Sequence, residues 1–428
     1  MTPGARLAAA IEVLDTLAME RAAADEVLKA WGRAHRFAGS GDRRAIAGHM
    51  YDALRARARS QWRLGAEDGR ALVLGVLGPE AAEAAFTGEG RDPAPLTPEE
   101  LGRLAAPEAE PPDWVRAGVP DWIAGKLKAR FGGDWLAETQ ALAGVRAPVD
   151  LRVNALRGEV DAALRLLAAD GVEPERAPWA AAGLRLPPAY SRDVQATRAW
   201  KTGWVEVQDE ASQIAAVLAD AHPGATVVDY CAGGGGKTLA LAAALGGAGR
   251  LVATDVDAKR LAALAPRLER SGARAEVRRI GSEGQGCEDL HGAADLVFVD
   301  APCTGSGTWR RHPEAPWRLT PETLARLAVL QPRILSCAAR LVRPGGRLAY
   351  ATCSVFAEEN EAAAAAFAAD HPGFRPLPVA EAATRAHGLT PAGRARVTAL
   401  ARDGHTLQMT PHRTGTDGFF LALFERTA

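Results

Sequence analysis

The stretch A-D-L-V-F-V-D-A-P-C-T-G-S-G-T-W, residues 294–309, decides how the chain is read. Residues 296–299 are a short apolar, largely β-branched run, the pattern of a buried strand. The run ends on Asp300, Pro302 stops it, and Cys303 opens a Gly/Ser/Thr loop. A second strand pattern, residues 347–351, ends in Thr352-Cys353-Ser354. Ligands of an open parallel α/β sheet sit just beyond the carboxyl ends of its strands. An acid and two thiols at two strand ends are therefore placed for chemistry.

Around these two strands the pattern alternates β-α-β from Ala225 onward. Strands are predicted at 226–230, 250–254, 275–280, 296–299 and 347–351, with helices at 238–245, from Lys259, at 321–342 and from Glu358. Pro344-Gly345-Gly346 reads as the turn before the 347–351 strand. Residues 406–409 and 419–424 read as two late strands around the turn H-R-T-G-T-D-G. The sum is a doubly wound mixed sheet with an antiparallel edge.

Upstream, residues 5–63 read as helices, with Leu7, Ile11, Leu14 and Leu17, then Ile46, Met50 and Leu54, at helical spacing. Gly39-Ser40-Gly41-Asp42 reads as a turn, with Asp42 placed to cap the next helix. Between residues 33 and 63, eight arginines, Arg43 and Arg44 among them, face two acids, Asp42 and Asp52. That run is either a phosphate-contacting face or a solvated helix surface. Residues 86–120, rich in Pro, Gly and Glu, read as a linker, and 120–145 as helix with Trp122, Leu127, Phe131, Trp135 and Leu142 in the core. From Val149, a strand, a helix over 160–169 and a second strand make a small α+β module. The expected divisions are 1–120 (helical, with linker), 121–205 (connecting module) and 206–428 (α/β domain).

A net charge of -1 with 24% charged and 47% hydrophobic residues fits an ordinary globular protein, so any nucleic-acid surface must be local. The five cysteines all lie in the second half and none forms a C-x-x-C pair, which points to a reduced cytoplasm rather than a disulfide framework. No metal-ligand spacing appears, so no metal is expected. The amino terminus lacks a signal-like apolar core, and no apolar stretch is long enough to span a bilayer. A cytoplasmic, unanchored monomer is expected.

The loop Cys231-Ala232-Gly233-Gly234-Gly235-Gly236-Lys237-Thr238 joins the 226–230 strand to its helix. Its glycines let backbone approach a ligand closely. A P-loop needs a glycine where Cys231 stands, and the dinucleotide fingerprint G-x-G-x-x-G needs one where Thr238 stands. A third reading is S-adenosylmethionine, whose ribose hydroxyls want an acid at the end of the second strand; Asp255 is there. Loop and acid alone leave a nicotinamide dinucleotide and S-adenosylmethionine nearly equal, and Asp255 could simply cap a helix. The cysteine pair breaks the tie.

With D-A-P-C and A-T-C-S facing one crevice, the chain resembles the Sun/Fmu (RsmB-type) family of RNA cytosine-C5 methyltransferases. The resemblance rests on V-Q-D-E-A-S-Q (207–213), D-Y-C-A-G-G-G-G-K-T (229–238), D-A-P-C-T-G-S-G-T-W-R-R-H-P-E (300–314), R-P-G-G-R-L-A-Y-A-T-C-S (343–354) and P-H-R-T-G-T-D-G-F-F (411–420). It implies a Rossmann-like class I methyltransferase domain behind an all-α, NusB-like RNA-binding domain and a small α+β module. It implies Cys353 as the nucleophile, Cys303 as the cysteine assisting product release, and Asp300 as the acid that hydrogen-bonds the cytosine and the cofactor. Residues 231–237 and Asp255 would hold S-adenosylmethionine. Arg310, Arg311 and His312, after the Cys303 loop, are expected to contact phosphate, as are Arg43 and Arg44. The implied substrate is ribosomal RNA of the small subunit.

Methylation of transfer RNA, methylation of an exocyclic amine and a non-catalytic RNA-binding assembly factor are the competing readings. D-A-P-C lacks the aromatic that would stack on a base in an amine methyltransferase. The sequence departs from the family where Gly234 replaces a usual proline, and after the third strand, where either Ser282 or Glu283 stands for the usual adenine-side acid.

Overall fold

The computed structural model describes residues 1–427 apart from Arg21, Glu108, Ser191, Arg402 and Asp403. The chain folds as two units, one of Met1–Arg146 with Thr308–Leu319, the other of Ala147–Gly307 with Thr320–Ala428. Helices Asp121–Phe131 and Trp135–Ala143, expected to open the connecting module, lie in the first unit.

In the helical unit, Pro3–Glu20, Ala24–Ala34 and Ser40–Arg55 bury the periodic apolar side chains Leu7, Leu14, Leu17, Val27, Ile46, Met50 and Leu54. Asp42 caps the third helix from its third position, its carboxylate accepting from Gly39 N at 3.4 Å. It sits in its first turn, where the Arg6 guanidinium and the amino terminus pair with it at 2.9 and 3.3 Å. The stretch expected as linker holds helices Pro98–Ala105 and Asp113–Ala117, the first closed by reciprocal Thr97 and Glu100 caps. Segment 308–319 packs within this unit. The Glu314 carboxylate accepts from Ala24 N at 3.2 Å, and the Arg57 guanidinium lies 4.7 Å from the Trp317 ring centre.

The larger unit holds two sheets. Strands β1 (Val149–Val153), β2 (Glu175–Arg176), β3 (Gly183–Leu186) and β4 (Val205–Val207) form an antiparallel sheet in the order β2-β3-β1-β4. Strands β5 (Thr226–Asp229), β6 (Arg250–Asp255), β7 (Glu276–Arg279), β8 (Ala294–Asp300), β9 (Val342–Thr352), β10 (Phe374–Pro376), β11 (Thr406–Met409) and β12 (Phe419–Arg426) form the other. Its order is β10-β12-β9-β8-β5-β6-β7, with β11 also on β12. The five strands β5 to β9 run parallel, and β12 runs antiparallel to β9. Valines, leucines and Phe298 on the central strands are buried on both faces, as covered parallel strands require.

Two details differ from expectation. Pro344-Gly345-Gly346 lies inside β9 rather than before it. Ala294 pairs with Val342 but Leu296 with Arg347, so extra residues bulge out of the ladder and the strand continues past them. Strand β12 is interior, because β10 and β11 both pair along its far side.

Candidate active site

Order reverses at β5, which has β6 on one side and β8 on the other, and the glycine loop leaves at that switch point. Ala232 N donates to Thr254 O at 2.9 Å, and Gly233 N to Asp255 Oδ2 at 2.9 Å, so the loop is pinned to the end of β6. Gly235 has φ of 88°, and a Cβ there would lie 2.1 Å from Leu264 Cδ1. Only glycine meets both conditions. Asp255 is buried; its other oxygen accepts from Asp257 N at 2.9 Å, and Arg260 stands 3.7 Å away.

Asp229, at the end of β5, was not expected to matter. It is fully buried; Oδ2 accepts from the Thr238 hydroxyl at 2.6 Å, while Oδ1 has no protein partner. Burial, partly offset by the Thr238 bond, pushes its pKa up to about 7. The Cys231 thiol is raised too, first by burial and then by Asp255, Asp229 and Asp300. Three acids, Asp229, Asp255 and Asp300, therefore act on the loop, and so do two arginines, Arg260 beside Asp255 and Arg267, which donates to Gly234 O. The nearest lysine is already engaged: Lys237, in the first turn of helix Gly236–Leu245, ion-pairs with Asp300 at 2.9 Å and lies 4.7 Å from the Phe419 ring centre. Burial opposes the Lys237 charge, but the Asp300 carboxylate outweighs it and its pKa lies above the ordinary value.

Asp300 ends β8, opposite Ala351 in β9, so Cys303 and Cys353 leave neighbouring parallel strands. Their sulfurs are 3.4 Å apart, both residues half-buried, and no cysteine in the chain is in a disulfide. Ala301 N donates to Ala351 O and Gly307 N to Cys353 O, each at 2.9 Å, tying the two loops by backbone. The hydrogen bond to Cys353, followed by burial, pushes the Cys303 thiol well above its usual pKa. Cys287 and Cys337 are buried core.

The expected RNA contacts are placed unequally. Arg43 and Arg44 are exposed on helix Ser40–Arg55. Arg310 is buried, only 5% exposed, against the expectation of a phosphate-facing side chain. It follows Trp309, which is fully buried, and the chain folds inward at both. Arg311 is half-buried and His312 exposed. Ser282 and Glu283 are both exposed; Glu283 ion-pairs with Arg333 at 2.7 Å. Lys237–Asp300 and the buried Asp229 escape a reading by motif, because neither partner's sequence neighbours name the other.

The glycine loop, the acid-ended strands and the doubly wound sheet with an antiparallel strand beside β9 define a Rossmann-type methyltransferase domain. Residues 215–425 match the 16S rRNA methyltransferase RsmB/F family, and residues 119–193 match the ferredoxin-like domain of RsmF/B-like methyltransferases. The chain is 34% identical over 319 residues to the ribosomal RNA small subunit methyltransferase B of Pseudomonas putida, covering 74% of this chain and 68% of that one. It therefore belongs to the RsmB/F methyltransferase family. The crystal structure of PH0851 matches over 100% of this chain and 99% of its own, with a TM-score of 0.76 at 25% identity. That of a methyltransferase homolog protein from Pyrococcus horikoshii covers 73% of this chain and 97% of its own, with a TM-score of 0.59 at 27% identity. Among the described residues no cluster of side chains could hold a metal ion, and no helix is long and apolar enough to cross a membrane.

Proposed function

We propose that this protein transfers a methyl group from S-adenosylmethionine to C5 of a cytosine in small-subunit ribosomal RNA. The observation that carries the reading is the 3.4 Å approach of the Cys303 and Cys353 sulfurs at adjacent strand ends. C5 of cytosine is a weak nucleophile. Addition of a thiolate to C6 breaks the aromatic ring and makes C5 electron-rich, which is covalent catalysis.

S-adenosylmethionine supplies, when bound, an electrophilic methyl on a positively charged sulfur. The three acids acting on the glycine loop suit that charge, Asp255 suits the ribose hydroxyls, and Asp229 Oδ1 is an acceptor without a protein donor. Cys353 is the nucleophile: its sulfur bonds to C6. Lys237, its charge reinforced by Asp300 and by Cys353, is the cation coupled to that sulfur. Asp300, held by Lys237, is the hydrogen-bonding group for the pyrimidine edge. Cys303 is a thiol beside that sulfur during attack and assists release, when water takes the C5 proton, the electron pair left at C5 restores the C5–C6 double bond, and the S–C6 bond breaks to return Cys353 as a thiolate. The target base must be unpaired or flipped out for a sulfur to reach C6.

Arg43, Arg44, Arg311 and His312 are the side chains we assign to RNA phosphates. The substrate assignment draws on the name of the Pseudomonas putida relative, a ribosomal RNA small subunit methyltransferase. A cytoplasmic monomer is part of the same reading. The test is transfer of a tritiated methyl to ribosomal RNA from unmethylated small subunits, followed by nucleoside analysis. Label in 5-methylcytidine is expected; label in N4-methylcytidine, or only in transfer RNA, would overturn the proposal.

A further inference from the structure

Each reactive cysteine has two chain neighbours, and three buried side chains hold all four of those neighbours. Beside Cys303, Thr304 donates to Glu359 through its amide at 2.8 Å and through its hydroxyl at 2.5 Å. On the other side, Pro302 O accepts from Gln331 Nε2 at 3.0 Å, and the same nitrogen donates to Glu359 at 3.1 Å. Beside Cys353, the Ser354 hydroxyl donates to Glu359 at 2.5 Å, and Ser354 O accepts from Asn360 Nδ2 at 2.9 Å. The Thr352 hydroxyl donates to Asn360 Oδ1 at 2.5 Å. Glu359, Asn360 and Gln331 are each fully buried.

All four bonds to the Glu359 carboxylate come from donors. An ionised, acceptor-only carboxylate fits this cage. Among the described residues no lysine or arginine ion-pairs with it. A buried charge held by hydrogen bonds alone is costly, and packing alone would be served as well by an apolar side chain. Its distinctive property is that one carboxylate takes donors from both cysteine loops.

We infer that Glu359 is a positioning residue: it fixes the separation of the two sulfurs by tying both loops to one carboxylate. After the Cys353 hydrogen bond, burial and the Cys353 charge, the Glu359 charge adds to the disfavouring of a thiolate at Cys303, which suits a cysteine that must stay protonated while its neighbour attacks. The other titratable groups about this pair are Cys353 itself, Tyr350 within β9, and Lys237 with Asp300. The inference rests on the methyl transfer proposed above, and the test below includes one measurement independent of it.

Glu359→Gln keeps an oxygen for the Thr304 amide and Gln331, while its new amide can donate to the two hydroxyls. Glu359→Ala removes the tie. In the full chain, E359A is expected to lower kcat about a hundredfold at unchanged KM for S-adenosylmethionine, the scale of a misplacement of about 1 Å. E359Q is expected to retain kcat within about tenfold of the parent, a rescue by geometry. Independently, alkylation of the Cys303 peptide by iodoacetamide is followed against pH by mass spectrometry in Cys353→Ala and in Cys353→Ala/E359Q. Loss of the charge should move the midpoint down. An unchanged midpoint overturns the electrostatic part, and an E359A kcat within about twofold of the parent overturns the positioning. If E359A does not fold, E359Q with kcat as low as background overturns it instead. Absence of methyl transfer in the parent would defeat the functional reading while leaving the alkylation result decisive.

Discussion

The glycine loop after β5 and the cysteine loops after β8 and β9 occupy neighbouring strand ends of one sheet, and each combines backbone bonds with bonds to buried side chains, yet the ties differ in what they join. The glycine loop is fastened to separate partners: Ala232 N donates to Thr254 O, Gly233 N to the Asp255 carboxylate, and the Gln208 amide to Gly236 O. The cysteine loops are fastened to each other, by backbone from Gly307 N to Cys353 O and by the shared Glu359 carboxylate, with Asn360 and Gln331 beside it. A cofactor must enter and leave at every turnover, so its loop benefits from conformational freedom. Two sulfurs that are to serve one pyrimidine in sequence, as proposed, would have to keep their spacing, so rigid loops would suit them. Substitutions on the cysteine side should thus act on turnover, and those on the glycine side on cofactor binding.

The largest effect tests the cysteine side directly. Cys353→Ala should lower kcat by roughly three orders of magnitude or more, while cofactor affinity by calorimetry stays within about twofold. A variant that still methylates at the parental rate would remove Cys353 from the reaction. Cys303→Ala should behave differently. Attack and methyl transfer proceed, release fails, and a covalent protein–RNA adduct accumulates that survives a denaturing gel. If C303A turns over freely, the 3.4 Å approach of the sulfurs has no chemical use and the contrast between the two sides weakens.

On the glycine side, Gly235→Ala places a Cβ at φ 88° and against Leu264. The left-handed conformation alone costs about 1–2 kcal/mol, so KM for S-adenosylmethionine should rise about tenfold. At saturating cofactor, kcat should change less than about twofold. A kcat loss equal to the KM change would mean the loop also positions the reacting groups.

Much of this division is legible in sequence. Apolar β-branched runs punctuated by Pro and Gly mark the strands, and the residue just past each run marks a strand end; Asp255, Asp300, Cys303 and Cys353 all fall there. What escapes is whatever depends on pairing across the fold. Pro344-Gly345-Gly346 reads as a turn because local chemistry favours one, but the β8 ladder resumes beyond it and absorbs it as a bulge. Strand β10, Phe374–Pro376, is too short to show a period. Arg310 looks like a phosphate contact by its charge and neighbours, yet it is buried with Trp309. Glu359 and Asn360 sit in an alanine- and glutamate-rich stretch that reads as the start of a helix. Only the return of the chain beneath Cys303 reveals them as the tie between two loops.

The smallest expected effect concerns stability, at Asp229 beneath the glycine loop. Its folded pKa, about 7, lies above the unfolded value of about 4. Between those values the folded state keeps a proton that the unfolded state has lost. The contribution of this carboxyl to stability is therefore fully present below about pH 4, declines as pH rises to about 7, and is level above that. Asp229→Asn keeps an acceptor for the Thr238 hydroxyl and removes the titration. Without cofactor, its stability relative to the parent should rise through that window and level off above it, read from urea midpoints at a series of pH values. Parallel midpoints from pH 5 to 8 would mean that burying Asp229 costs nothing. The glycine side would then be as well satisfied as the Glu359 carboxylate, and the contrast between a loop that waits for its ligand and loops tied to one another would not hold.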